Sequence, residues 1–114
     1  MPFIFKLLKA ASLTAATNDS FYKVGTTANT AATSAIISNI RVYNTSGATV
    51  TVDIFVRTTS AGTQVRIGTQ LSVPATSSKV FNANELTLAK DSVIDVNTSG
   101  AGVVNCIING AERV

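Results

Sequence analysis

The sequence predicts an all-β protein: a single antiparallel β-sandwich, Ig-like or jelly-roll, preceded by an N-terminal arm. Three observations predict it. From Ser20 onward, apolar and polar residues alternate in short runs, the period of a half-buried strand. Clusters of Gly, Asn, Ser and Pro separate these runs at regular spacing, the pattern of a sandwich or barrel. No segment after Ser20 carries a helical apolar stripe. The chain has 114 residues, which favours one domain. A chain of this size buries about two-thirds of its unfolded surface, enough for one core. The expected organisation is an arm over residues 1–19 and a sandwich over residues 20–114.

The arm is read from its composition. Phe3, Ile4, Phe5, Leu7 and Leu8 form an apolar cluster, and the small, polar KAASLTAATNDS follows as a linker. Phe3, Phe5 and Leu7 share one strand face, whereas Ile4, Leu8 and Ala11 share one helix face, so periodicity leaves the conformation open. Burying a Phe or Leu is worth ~1.5–3 kcal/mol, so the cluster is expected to leave water. The expectation is an arm that docks on an adjacent subunit through Phe3, Phe5 and Leu7 or Leu8; its rival is an edge strand on the chain's own sheet. Lys6 and Lys9 interrupt the apolar run, so it does not read as a secretory leader. No apolar run approaches the ~18 residues of a membrane-spanning helix, and no membrane partner is expected.

The sandwich elements follow in order. SFYKVGTT is a first core strand and TANTAATS a loop. AIISNIRVYN is expected to place Ile36, Ser38, Ile40 and Val42 on one face, and TVTVDIFVR does the same for Val50, Val52, Ile54 and Val56. With NTSGA between them, these two runs read as a β-hairpin. Its outward face would then hold Arg41, Tyr43, Asp53 and Phe55, with Arg41 and Asp53 as cross-strand neighbours or close diagonals. TQVRIGTQLSV reads as a longer strand, bulged at Gly68 and ended by Pro74. SKVFN, ELTLA, SVIDVN and GVVNCIIN complete about eight strands. NTSGA occurs twice, at Asn44–Ala48 and Asn97–Ala101. Asn and Ser side chains bond nearby backbone there. The flanks are out of inside–outside phase, so the repeat reads as shared turn chemistry rather than duplication.

Chemistry is sparse. The chain has no histidine, the commonest general acid–base residue. Its acids, Asp19, Asp53, Glu85, Asp91, Asp95 and Glu112, form no close pair along the sequence, and Asp53 and Asp95 read as solvated charges on outward strand positions. The expectation is no catalytic residue, no cofactor and no metal site. The net charge is +3, but the basic residues are scattered rather than gathered in a stripe, so nucleic acid is not an expected partner. Cys106, the single cysteine, lies in an apolar strand pattern and reads as a buried, inert thiol. Charged residues make up 13% of the chain, against a usual ~25%, which suits a surface packed against neighbours. Arg41, Tyr43 and Phe55 give the outward face the composition of a protein contact, where aromatics and arginine are enriched.

A resemblance extends this reading. An aromatic-x-Val strand (Tyr22-Lys23-Val24), a hairpin of the VSNIRVxN kind (Ile37 to Asn44), a VPA turn (Val73 to Ala75), an L-T-L-x-x-x-D-x-I-x-V unit (Leu86 to Val96) and a closing apolar strand follow in the order seen in a family of small tailed-bacteriophage virion proteins, which the chain resembles over about Phe21 to Glu112. It departs from them at Gly25-Thr26, where a Pro-containing turn is expected. The resemblance implies a non-enzymatic structural protein located in the virion, first a capsid cement or decoration protein. The alternatives are a neck, tail or baseplate accessory protein and, from a different class, a carbohydrate-binding host-attachment module. The partners so implied are other virion proteins, namely the major capsid protein or neck and tail proteins, and further copies of the chain in a homo-oligomer.

Overall fold

The computed structural model describes residues 3–27, 30–59, 61–68 and 70–113; the side chains of residues 3–6, 84 and 85 lie outside that description. Among the described residues there are nine strands and no helix: β1 (Phe3–Ser12), β2 (Thr17–Lys23), β3 (Ser34–Asn44), β4 (Val50–Arg57), β5 (Val65–Arg66), β6 (Leu71–Val73), β7 (Ser78–Ala89), β8 (Val93–Thr98) and β9 (Val104–Arg113). They form two sheets. Sheet A runs β1-β9-β3-β7, and sheet B runs β2-β8-β4-β5 with β6 also paired to β4. Every pairing is antiparallel.

The order has a simple logic. β1 pairs with β9, β2 with β8, β3 with β7, and β4 with β5 and β6. The chain is therefore one long antiparallel ribbon folded back on itself. Rolling it up creates the additional pairs β3 with β9 and β4 with β8. This is the jelly roll, not the Ig-like order, whose sheets are built from a different set of neighbours. The connections 13–16, 45–49, 74–77 and 99–103 meet at one end. There Gly102 N–H donates to Leu13 O (2.7 Å), Thr45 N–H to Val103 O (2.8 Å) and Thr76 N–H to Ser46 O (3.2 Å). At the other end Thr33 N–H reaches Arg113 O (2.7 Å) and Val24 N–H reaches Ser92 O (3.0 Å).

The expected N-terminal arm is corrected by this topology. Phe3–Ser12 is an edge strand, in register with β9 from Phe3↔Arg113 to Ser12↔Asn105. Of the residues read as a linker, residues 9–12 continue the ladder and residues 17–20 begin β2 in the other sheet. Leu8 is the extra residue of a bulge between Leu7 and Lys9, and it is buried in the chain's own core at 3% exposure. It is therefore not an anchor on a neighbour. Leu13, just past the strand, is fully buried.

Bulges also explain where alternation misleads. Ser38 is an extra residue against β9, and the register with β7 shifts at the same place. A one-residue insertion flips the faces on one side of it. The inward residues are therefore Ala35 and Ile37 before the bulge and Ile40 and Val42 after it. Ile36 and Ser38 point outward instead. SKVFN and ELTLA are one strand, β7, whose residues 83–85 form the insertion opposite Ser38. TQVRIGTQLSV, by contrast, divides into β5 and β6. Gly68 lies between them, where an added Cβ would stand 2.3 Å from the Phe81 ring; the ring closes the sandwich at that side.

The two NTSGA segments do not close hairpins. β3 and β4 lie in different sheets, as do β8 and β9, so each copy is a corner between sheets. In the first copy Asn44 is fully buried. Its amide donates to Ala48 O (2.6 Å), Val73 O (3.1 Å) and Pro74 O (3.2 Å), and its Oδ1 accepts from Ser46 N–H (2.9 Å). In the second copy Ser99 fastens the corner, its Oγ accepting from Thr51 N–H (2.9 Å) and its own N–H reaching Thr51 O (3.0 Å). One string thus makes two corners through different residues.

The interior is mostly aliphatic, and one polar pair, Tyr22 and Glu112, lies within it. Tyr22 donates to Glu112 Oε2 at 2.5 Å, and both residues are fully buried. Burial first, and then the Glu112 carboxylate, push the Tyr22 hydroxyl well above its ordinary range, so it stays a donor. Cys106 is buried as expected, and burial pushes its thiol up to about 12, which keeps it protonated and unreactive.

Candidate protein-contact face

The residues expected to form one contact face are divided between two. Because β3 belongs to sheet A and β4 to sheet B, Arg41 and Tyr43 look out from one side of the sandwich and Phe55 from the other. Arg41 and Asp53 are not neighbours. Arg41 and Tyr43 point outward from β3 and Phe55 from β4, as expected, but the corner at Asn44 turns the second strand into the opposite sheet.

On sheet A the registers define rows across the outer face. One row contains Ala111, Ile36 and Thr87. The next contains Leu7, Asn109, Asn39 and Asn82. The next contains Ala10, Ile107, Arg41 and Val80, and the last Ser12, Asn105, Tyr43 and Ser78. Leu7 is 53% exposed, Val80 47% and Tyr43 40%. Ile36 and Ile107 are half-buried between them. The middle row is an amide ladder, in which Asn109 Nδ2 donates to Asn39 Oδ1 at 2.9 Å. None of these register positions holds Asp or Glu. Arg41 is exposed, and Ile107 and Val80 are its cross-strand partners. Phe3 and Phe5 belong to β1, but their side chains lie outside the described residues. Of the residues the sequence singled out, this face therefore brings together Leu7, Arg41 and Tyr43. It also adds Ile36, whose face the bulge at Ser38 conceals, and Val80 and Ile107, which strand order brings beside Arg41.

Sheet B presents a polar outer face, on which Asp53 and Asp95 are both paired with arginines of the same chain. Arg66 forms an ion pair with Asp53 and lies over the Phe55 ring, 5.0 Å from its centroid; Gln70 Nε2 adds a 3.0 Å bond to Asp53. Phe55 is therefore half-buried under a guanidinium rather than an open ring.

Asp95 departs furthest from expectation. It occupies an outward strand position opposite Phe55, yet it is fully buried. β2 accounts for this. Its residues 19–21 bulge out between Asn18 and Tyr22, and Ser20 takes a left-handed φ of 53°, which brings its N–H to 2.7 Å from Asp95 Oδ1. Arg57 holds both carboxylate oxygens, Nη2 to Oδ1 at 2.8 Å and Nε to Oδ2 at 2.7 Å, and Gln64 Nε2 donates to Oδ2 at 2.7 Å. Burial alone would raise the Asp95 pKa; the hydrogen bonds from Arg57, Ser20 and Gln64 outweigh it and leave the carboxyl below its ordinary value. The arrangement fastens the β2 bulge and the segment after β4 onto sheet B.

A prediction follows for this cluster. Asp95→Asn leaves the Arg57 guanidinium, 11% exposed, without its counter-charge, and should cost about 3 kcal/mol at pH 7. A carboxyl whose folded pKa is depressed stabilises the fold above its unfolded value of about 3.9, and that stability is lost as pH falls through the folded value. The gap between parent and variant in urea melts should therefore be full at pH 7 and shrink below about pH 4. An equal gap at every pH would contradict the assignment.

Among the described residues no cluster of His, Cys, Asp or Glu could hold a metal ion. No protein-family model and no curated protein sequence matches the chain. Some solved structures are similar in fold. One is the core of the Drosophila NLP protein, whose structure is described in terms of pentamer formation and histone binding; it has 13% identity and a TM-score of 0.47 over 99% of this chain and 100% of that one. Structures of infectious bursal disease virus also match. The Gx strain gives 13% identity and a TM-score of 0.38 over 98% of this chain and 33% of that one, and the Gt strain 13% and 0.34 over 96% and 27%. At these identities and TM-scores the likenesses assign neither a family nor a function.

Proposed function

We propose that this protein is a non-enzymatic structural component of a virus particle, first a capsid cement or decoration protein, that works by making repeated surface contacts with other virion proteins. The observation that carries the contact reading is the outer face of sheet A. It is a four-stranded surface with exposed Leu7, Val80 and Tyr43, an exposed Arg41 and no carboxylate in its rows. Aromatics and Arg are enriched at protein contacts and acids are depleted. The virion part of the reading comes from the sequence resemblance. Its successive motifs fall on β2, β3, the β6–β7 turn, β7–β8 and β9 in turn. A neck, tail or baseplate position is the second choice within the same reading. The carbohydrate-binding alternative has less support, because a sugar platform needs open aromatic rings and the Phe55 ring lies under Arg66.

The test is to purify particles from cells that express the tagged chain together with its neighbouring genes, and to measure the chain by quantitative mass spectrometry. A fixed ratio to the major capsid protein, retained through a density gradient, is expected. A chain that stays at the top of the gradient would refute the reading.

A further inference from the structure

We infer that the outer face of sheet A is an isologous interface with a second copy of this chain, the two sheets packing face to face about a two-fold axis that runs across the strands along the asparagine row. This deepens the contact reading above, on which it rests for the face but not for the virion.

The face is self-complementary row by row. An axis across the strands through Leu7, Asn109, Asn39 and Asn82 keeps each strand over its own counterpart and reverses the order of the rows. The amide row then meets the amide row, where each Asn carries both donors and an acceptor. Leu7, 53% exposed, meets the partner's Leu7. The row of Ala10, Ile107, Arg41 and Val80 meets the row of Ile36 and Thr87, in which Ala111 is already buried. Arg41 is thereby placed over the partner's Ile36, away from the partner's Arg41. Its stem packs on apolar surface, and its charged end can reach the rim. Arg113 and Ser34, which are paired in the register, meet the row of Tyr43, so a cation approaches the partner's ring rather than another cation. Like charges are thus kept apart across the axis.

The size also fits. Four strands spaced ~4.8 Å apart and about ten residues long at ~3.3 Å each give a projected face of roughly 600 Å². A specific interface needs about 1,000 Å² in total, or about 500 Å² from each partner. Two sheets packed in this way lie ~10 Å apart.

Sedimentation velocity on the full chain tests the proposal. The wild type should sediment as a dimer at tens of micromolar. Leu7→Glu and Val80→Glu, both at exposed positions, should each weaken dimerisation at least tenfold while melting, at low concentration, as the wild type does. Gln70→Glu, in the connection between β5 and β6 beside sheet B, should leave the dimer unchanged. Leu7→Cys should cross-link to itself in high yield with a short bismaleimide, since Cys106 is buried. A wild-type monomer at 100 µM, a dimer weakened only by the sheet B change, or a Leu7→Cys that does not cross-link overturns the interface. These outcomes are separable from the virion reading. A monomer that still travels with particles removes the copy–copy contact alone, whereas a dimer that never enters particles removes the virion role alone.

Discussion

Deletion of residues 1–12 is expected to abolish cooperative folding. The deletion removes β1, so β9 loses one of its two ladders and becomes the edge of sheet A. It also empties the site of Leu8, which is 3% exposed. Loss of one buried Leu side chain costs ~2–5 kcal/mol by itself, and the whole stability of such a domain is about 5–15 kcal/mol. The missing ladder and the freed Leu13 segment add to that. Thermal melting followed by circular dichroism should show no transition, or one more than about 20 °C below the full chain. A truncated chain that melts like the parent would mean that the segment is a detachable arm after all.

Gly110→Ala is expected to be nearly as damaging. Gly110 sits on β9 at the centre of sheet A, flanked by Lys6 on β1 and Ile37 on β3. A Cβ there would stand 2.1 Å from the Ile36 carbonyl oxygen and 3.1 Å from Ile37 Cα. Both obstacles are backbone, so no rotamer change relieves them; β9 and β3 must separate where the ladder bends. The expected loss is more than about 4 kcal/mol, in the tail reserved for substitutions with a named steric cause. For a domain of this size that lowers Tm by roughly 15 °C or more. Gly47→Ala is the control. Nothing lies within 4 Å of its added Cβ, and its effect should stay within about 0.5 kcal/mol. Equal effects at the two glycines would contradict the packing described for β9.

The all-β class, the absence of helix after Ser20 and the inward face of β4 were legible because they depend on local period alone. Val50, Val52, Ile54 and Val56 alternate without interruption, and the strand contains no bulge. β3 was misread at Ser38 because an inserted residue leaves no mark in a run of Ile, Ser and Asn. The N-terminal cluster is ambiguous in sequence because apolar residues occupy both faces of one strand, Leu7 out and Leu8 in, so no alternation shows. Strand partners were less legible still. Asn, Thr, Ser and Gly in sequence say that the chain turns, and the same side-chain bonds serve a hairpin or a corner between sheets. What makes the first copy a corner is Asn44 reaching Val73 O and Pro74 O from β6 and the turn beyond it, contacts about thirty residues away in the chain. Asp95 was misjudged because an outward strand position implies water only when nothing covers it. The cover comes from Ser20, Arg57 and Gln64, brought together by three separate elements. Of the contact residues, Leu7, Arg41 and Tyr43 share a face through β1 and β3 being separated only by β9, an order that no local pattern encodes.

The most direct test of the proposed role is an electron-microscopy map of whole particles at a resolution that traces strands. The account predicts this jelly roll at regular, repeated positions on the particle, with the outer face of sheet A covered by protein and the face bearing Asp53, Arg66 and Phe55 free of a second copy. A map in which the chain is absent, or in which Leu7, Arg41, Tyr43 and Val80 face solvent at every position, would contradict it.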